Sequence, residues 1–282
     1  MYDMGNIIDD AVLQTGTVMT ELVAKAKEAR ASGQSRRDFF ARTAKLAGAT
    51  ALGAAGVSFV QPIAARAATS EPSNDTVADI LNIACTAETL AITFYGHALA
   101  HPDNLPTVNN EANQNYFQAA LTQEYEHLKY LRSLGGTSLA TKFYFPTGMF
   151  YNEKTFFATS STLEDYFISA YIAAAMDFSG AYSNNITTAS PKLIGAAVQI
   201  AGVECEHRAL LRVASGVNPP NNRIAESGLL VSVADAVPVL ANFLSPGASG
   251  FSTTAYDPPS VSAIENYAAP YGTSFFPTPV YV

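Results

Sequence analysis

One four-residue pattern with metal-ligating chemistry occurs twice in the chain. It reads Glu124-Tyr125-Glu126-His127 and, 80 residues further on, Glu204-Cys205-Glu206-His207. Residues three apart share one face of an α-helix, so Glu124 and His127 can address one point in space, and so can Glu204 and His207. Both pairs sit in apolar stripes, formed by Phe117, Ala120, Leu121, Leu128 and Leu131 around the first and by Ala197, Ile200, Val203, Leu210 and Leu211 around the second. A carboxylate and an imidazole on a core-facing stripe are costly to bury unless something neutralises them. Two such pairs on two helices point to a metal ion, and this donor set suits iron, manganese or zinc. Glu126 and Glu206 lie about 200° around the helix from the paired face and read as surface or supporting groups.

The pairs need helices to carry them. A first helix begins near Asp75, capped by Ser73, Asn74 or Asp75, and runs to about Ala100 with Glu88 in the middle of its apolar stripe. His97 and His101 fall at its end and read as polar end residues. A second helix, from about Glu111 to Leu134, carries Glu124 and His127 and stops at Gly135-Gly136. Residues 137–160 are aromatic and poor in helix formers, a length suited to a long crossover between two antiparallel helix pairs. Ser161-Thr162-Leu163-Glu164 has the form of a capping box opening a third helix, apolar nearly all round from Tyr166 to Tyr182. Ser190-Pro191 starts a fourth helix, which carries Glu204 and His207 to about Ser215.

The expected architecture is therefore all-α. An antiparallel four-helix bundle occupies 68–215, after an N-terminal extension and export signal in 1–67. A Pro- and Tyr-rich tail follows in 216–282, with one short helix near Val231–Leu244. That tail is too aromatic to be freely solvated throughout. It either wraps the bundle or contacts a second subunit of a homo-oligomer.

In four-helix bundles that hold two metal ions, two helices supply Glu-x-x-His and the other two supply one Glu each. Glu88 fits the first helix. It stands seven residues before Tyr95, and if Tyr182 is the matching tyrosine of the third helix, the corresponding position is Ala175, which cannot ligate. Asp177 lies about 200° around the helix from that position, and Glu164 and Asp165 lie nearly three turns away. Five candidate ligands follow: Glu88, Glu124, His127, Glu204 and His207. Bridging carboxylates from Glu124 and Glu204 would hold two ions with one His each, the ion away from Glu88 keeping open positions or water. A single ion, or a decayed site of hydrogen-bonded pairs, are the alternatives. Tyr95, Tyr125 and Tyr182 could approach the metals, but aromatics at helical spacing are core residues by default.

Near the N-terminus, Ser35-Arg36-Arg37-Asp38-Phe39-Phe40, a weakly apolar run from Ala44 to Val60, and Ala65-Arg66-Ala67 follow one another. Twin arginines, a mild hydrophobic stretch and a small-x-small site resemble a twin-arginine export signal, which implies a periplasmic or secreted bacterial protein. The run is short and too diluted by Gly and Thr for a comfortable membrane span. No charge-free stretch of 18 apolar residues follows it, so the processed chain is expected to be soluble, with no membrane span.

Past residue 67 there are 8 Lys+Arg against 18 Asp+Glu. So few and scattered cations exclude nucleic acid as a partner and disfavour anionic membrane surfaces. Of the two cysteines, Cys85 and Cys205, neither belongs to a CxxC, which excludes a zinc ribbon or a rubredoxin-type iron site. An exported location would permit a disulfide between them, but they lie on diagonally placed helices, far apart for a bridge, and two buried free thiols are the favoured expectation.

Residues 75–244 resemble the exported bacterial ferritin-like domain proteins, which are similar to plant desiccation-related proteins. The segments that carry the resemblance are LNIACTAETLAITFY, QEYEHLKYLRSLGG, the helix ending SGAY, and VECEHRALLR. It implies a ferritin-like bundle. Members of the wider superfamily oxidise and store iron, reduce dioxygen or peroxide, or act as stress-related proteins of undefined chemistry. Two readings compete: an exported protein with one or two iron or manganese ions reacting with dioxygen or peroxide, or a non-enzymatic stress scaffold with a degenerate site.

Overall fold

A computed structural model describes residues 72–268 apart from 222 and 227. The twin-arginine segment, the rest of residues 1–71 and the end of the tail, 269–282, lie outside the described residues.

Four long helices form the bundle: α1 (Val77–Ala100), α2 (Gln114–Ser133), α3 (Glu153–Phe178) and α4 (Pro191–Ala214). The α1 N-cap is Thr76 rather than a residue of 73–75. Its hydroxyl accepts from Asp79 N–H at 3.1 Å while the Asp79 carboxylate accepts from Thr76 N–H at 3.2 Å, a reciprocal capping box. Gly135, just past α2, has φ +99°, a conformation that glycine adopts without a side-chain penalty. Pro191 opens α4 at a position where a missing N–H costs nothing.

The third helix departs from the sequence expectation. It begins at Glu153, not at Ser161, because Asn152 caps it by accepting from Thr155 N–H at 3.1 Å. Thr107, in the single helical turn Pro106–Asn109, also donates through its hydroxyl to Glu153 at 2.9 Å. The apparent capping box at 161–164 lies inside the helix. There the Ser160 and Thr162 hydroxyls bond back to the carbonyls of Phe156 and Ala158, at 2.7 and 2.8 Å. The helix ends at Phe178, so Tyr182 lies beyond it and is exposed.

α1 packs against α2, and α3 against α4. Residues 134–152 form the crossover between the pairs. The tail is stitched onto that crossover: Phe143 and Tyr256 exchange backbone hydrogen bonds at 3.0 and 2.8 Å, and Ser252 N–H donates to Phe145 O at 2.9 Å. Beneath this seam Phe145, Phe150, Phe243, Phe251 and Tyr256 pack ring on ring. A 3₁₀ turn (Val233–Ala236) leads into α5 (Val237–Leu244), and α6 (Val261–Ala268), which has no counterpart in the sequence expectation, packs on α2.

By length and composition α1 could cross a membrane, but most of it is buried within the bundle and it carries Glu88 in its middle. Its apolarity is that of a core helix.

Candidate metal centre

The structure brings all five sequence-derived candidates together at mid-bundle and adds a sixth. Glu88 comes from α1, Glu124 and His127 from α2, Glu164 from α3, and Glu204 and His207 from α4. All six are buried, and Glu124, Glu164 and Glu204 have no exposed surface at all. They form two overlapping clusters: Glu88, Glu124, His127 and Glu204; and Glu124, Glu164, Glu204 and His207. Within each, one donor atom per residue lies within 4.8 Å of all the others.

Glu124 and Glu204 belong to both clusters. His127 Nδ1 is 3.3 Å from Glu124 Oε2 and 3.3 Å from Glu204 Oε1, while His207 Nδ1 is 3.1 Å from Glu124 Oε1 and 3.0 Å from Glu204 Oε2. Each of these two carboxylates thus turns one oxygen to each histidine. Glu88 Oε2 closes the His127 side at 3.5 Å from Nδ1, and Glu164 occupies the equivalent place on the His207 side.

Glu164 corrects the expectation that Ala175 marks a missing carboxylate. The matching tyrosine is Tyr171, not Tyr182. Glu164 stands seven residues before Tyr171, as Glu88 does before Tyr95, and the two halves interlock. The Tyr95 hydroxyl donates to Glu164 Oε1 at 2.6 Å, and the Tyr171 hydroxyl donates to Glu88 Oε1. Ala175 lies on the rim of the core, three turns along α3. The repeated Glu-x₆-Tyr was the signal in the sequence that locates Glu164.

Gln123 is a second residue that sequence reasoning missed. With His207 Nε2–H donating to Gln123 Oε1 at 2.8 Å, Nδ1 is the ring atom left to face an ion. Next to His207, the buried Arg208 binds Asp165 of α3 at 3.0 Å and Glu226 of the tail at 2.7 Å, which fixes the rotational setting of α4. Glu126 pairs with Lys129 on the surface and Glu206 is exposed, while Tyr125 carries the Lys129 ammonium 5.2 Å over its ring, outside the site. His97 also lies elsewhere, against Tyr256 and with Nε2 at 3.0 Å from Asp257 O. Both cysteines are free, Cys85 buried and Cys205 half-buried.

The protein's own groups do not satisfy this cluster. A single Nδ1–H can serve one acceptor, yet His127 Nδ1 faces three carboxylates. Glu88 Oε2, Glu124 Oε1, Glu164 Oε2 and Glu204 Oε1 are buried without a well-formed hydrogen bond. Burial, with repulsion from Glu124, drives the Glu88 carboxyl well above the usual carboxylate range; burial, with repulsion from Glu204, does the same to Glu164. Burial opposes charge on His127 and His207, but Glu88 on one side and Glu124 on the other hold both imidazoles well above their ordinary value. Burial also works against Glu124, yet His207 and His127 keep it ionised far down the pH scale. Two divalent cations would balance four carboxylates and give every orphaned oxygen a partner, so the residues present fit such ions.

A four-helix bundle whose core holds paired Glu-x-x-His motifs and two further glutamates defines the class of ferritin-like carboxylate proteins. The family model described as "Ferritin-like domain" matches residues 76–217, half of the chain, and the protein belongs to that family. No curated protein and no solved structure matches the sequence.

Proposed function

We propose that this is an exported metal-binding protein whose paired site takes up two iron or manganese ions and reacts with dioxygen or peroxide. The observation that carries the reading is the sharing of Glu124 and Glu204 between two four-residue clusters in which each of the four carboxylates has one buried oxygen without a well-formed hydrogen bond. Export rests on the twin-arginine pattern around Arg36 and Arg37. Two such ions, when bound, would supply one electron each, matching the reduction of peroxide to two waters with uptake of two protons. The chain's own part is to hold and to exclude. Glu124 and Glu204, which belong to both clusters, would serve both ions. Tyr95 and Tyr171 pin the outer glutamates, and Gln123 orients His207. Tyr95 packs against Phe94 and Phe117, with Phe156 behind them, and this aromatic layer closes the site to water on that side.

Metal content per chain, measured by mass spectrometry on protein exported by its own host, tests the reading. Close to two ions are expected in the native protein. The Glu124→Ala/Glu204→Ala double variant is expected to have none while keeping its helical circular dichroism. A native protein that stays folded and takes up neither iron nor manganese would overturn the proposal.

A further inference from the structure

The two sides of the site differ. Toward the C-terminal half of α1 lie the packed rings of Phe94, Phe117 and Phe156. Toward its N-terminal half lies a cavity of about 40 Å³. All four bundle helices line it, together with the 3₁₀ turn and α5 through Val233 and Leu240. Its near end adjoins the site on every helix. Ala87 and Leu163 precede Glu88 and Glu164 in the chain, Leu131 lies one turn past His127, and Ile200 lies one turn before Glu204. Tyr171 also lines it, and the Tyr171 hydroxyl is turned away to Glu88.

Almost no polar atom faces this space. It is larger than the roughly 10–15 Å³ a water molecule needs, yet offers none of the two to four hydrogen-bond partners that hold a water in place. Such a cavity stays dry and takes small apolar molecules. Hydrogen peroxide would have to leave its hydrogen bonds to water without replacement, whereas a homonuclear diatomic gas has none to lose. On the opposite side, Phe94 and Phe117 pack against Phe156 ring on ring, with centroids 6.5 and 6.3 Å from it.

We infer that this cavity is a binding site for molecular oxygen, which it holds one helical turn from the Glu88–His127 side of the centre. Dioxygen rather than peroxide is then the oxidant that the fold admits from this end. The delivery part rests on the metal-site reading above, while the occupancy of the cavity by an apolar gas does not.

Two small cavity-filling substitutions test it. Ala174→Val and Ala197→Val each add two methyl groups to the lining, on α3 and α4 respectively, and neither residue is one of the six clustered groups. Xenon binding to the metal-free protein, followed by ¹²⁹Xe NMR, is expected in the native chain and is expected to fall at least tenfold in either variant that folds. In iron-loaded protein the same variants should slow ferrous oxidation by limiting dioxygen at least tenfold. Oxidation by added peroxide and the iron content should be unchanged. Absence of xenon binding in the native chain would overturn the inference, as would equal slowing with both oxidants or with neither. Xenon binding in a protein that takes up no metal would instead refute the metal site and leave the cavity assignment standing.

Discussion

Replacing Glu164 by Gln should act in opposite directions on the metal-free and metal-loaded protein. Without metal, Glu164 has no exposed surface, one carboxylate oxygen lacks a hydrogen bond, and Glu204 and Glu124 repel its ionised form. A glutamine keeps an oxygen to accept from Tyr95, whose hydroxyl is 2.6 Å from Glu164 Oε1. It places an amide N–H₂ beside Glu124 and Glu204, donor atoms of which lie within 4.8 Å. Relieving a buried unsatisfied polar atom is worth about 1–3 kcal/mol. At roughly 3 °C per kcal/mol for a chain of this size, the metal-free variant should melt about 3–9 °C above the native protein.

With metal, the same change removes an anionic donor from the His207 side only. Losing a group that merely supports a ligand costs about 10–100-fold in metal affinity. Losing the donor itself should exceed the upper figure, which corresponds to about 2.7 kcal/mol. Titration calorimetry should then show one tight ion per chain, held by Glu88, Glu124, His127 and Glu204, where the native chain shows two. Ala175→Glu is the control and should add no ion. A Glu164→Gln variant that binds two ions with native affinity, or that is less stable than the native chain without metal, would refute this account of the site.

Three further outcomes follow from the same geometry. Tyr95→Phe should weaken the ion on the His207 side and Tyr171→Phe the ion on the Glu88 side, each by about 10–100-fold in competition titrations, with the other ion unaffected. The pH dependence of stability should reverse on metal loading. Glu88 and Glu164, raised from 4.5, and His127 and His207, raised from 6.5, contribute stability at acid pH that is lost as pH rises through their folded values. Glu124, lowered from 4.5, contributes stability that is lost only as pH falls through its folded value. The metal-free melting temperature should therefore peak in mild acid and decline toward pH 8, whereas the loaded protein, whose ligands must shed protons, should gain stability over that range. Finally, Gly96→Ala should loosen the tail from α1, because an added Cβ would sit 2.6 Å from Pro259 Cγ. A loss of about 1–3 kcal/mol in chemical denaturation, with faster proteolysis after residue 245, is the expected reading.

How much of this was legible in the sequence depends on which signals are local. The two Glu-x-x-His pairs and Glu88 sit on helices whose apolar periodicity is plain, so both the bundle and five of the six clustered residues could be placed. Glu164 could not, because two local signals misled together. Ser161-Thr162-Leu163-Glu164 has the composition of a helix start, but its neighbours' hydroxyls are satisfied by carbonyls one turn back. The actual cap, Asn152, stands among aromatic residues that suggested crossover. With α3 taken to start late, Tyr182 looked like its terminal tyrosine and drew the half-repeat to Ala175. Gln123 and the tail's partner on the crossover were illegible for another reason, although the tail's short helix near 231–244 was legible. The role of Gln123 depends on a helix 84 positions away, and the tail's seam with 143–147 is backbone pairing with no side-chain code.

The crossed tyrosines tie the legible and illegible parts together. Each Glu-x₆-Tyr unit spans two turns of one helix, so its tyrosine cannot curl back onto its own glutamate. It reaches the glutamate of the other half, Tyr95 of α1 to Glu164 of α3 and Tyr171 of α3 to Glu88 of α1. Those two bonds cross the bundle and tie α1 to α3. They also run in opposite directions along the axis, so Tyr95 ends in the aromatic layer and Tyr171 against the cavity. A ligand pattern with approximate two-fold symmetry is thereby set between two unlike surroundings. The two ion positions should accordingly differ in affinity and in access, with the Glu88–His127 position the one reached from the apolar side.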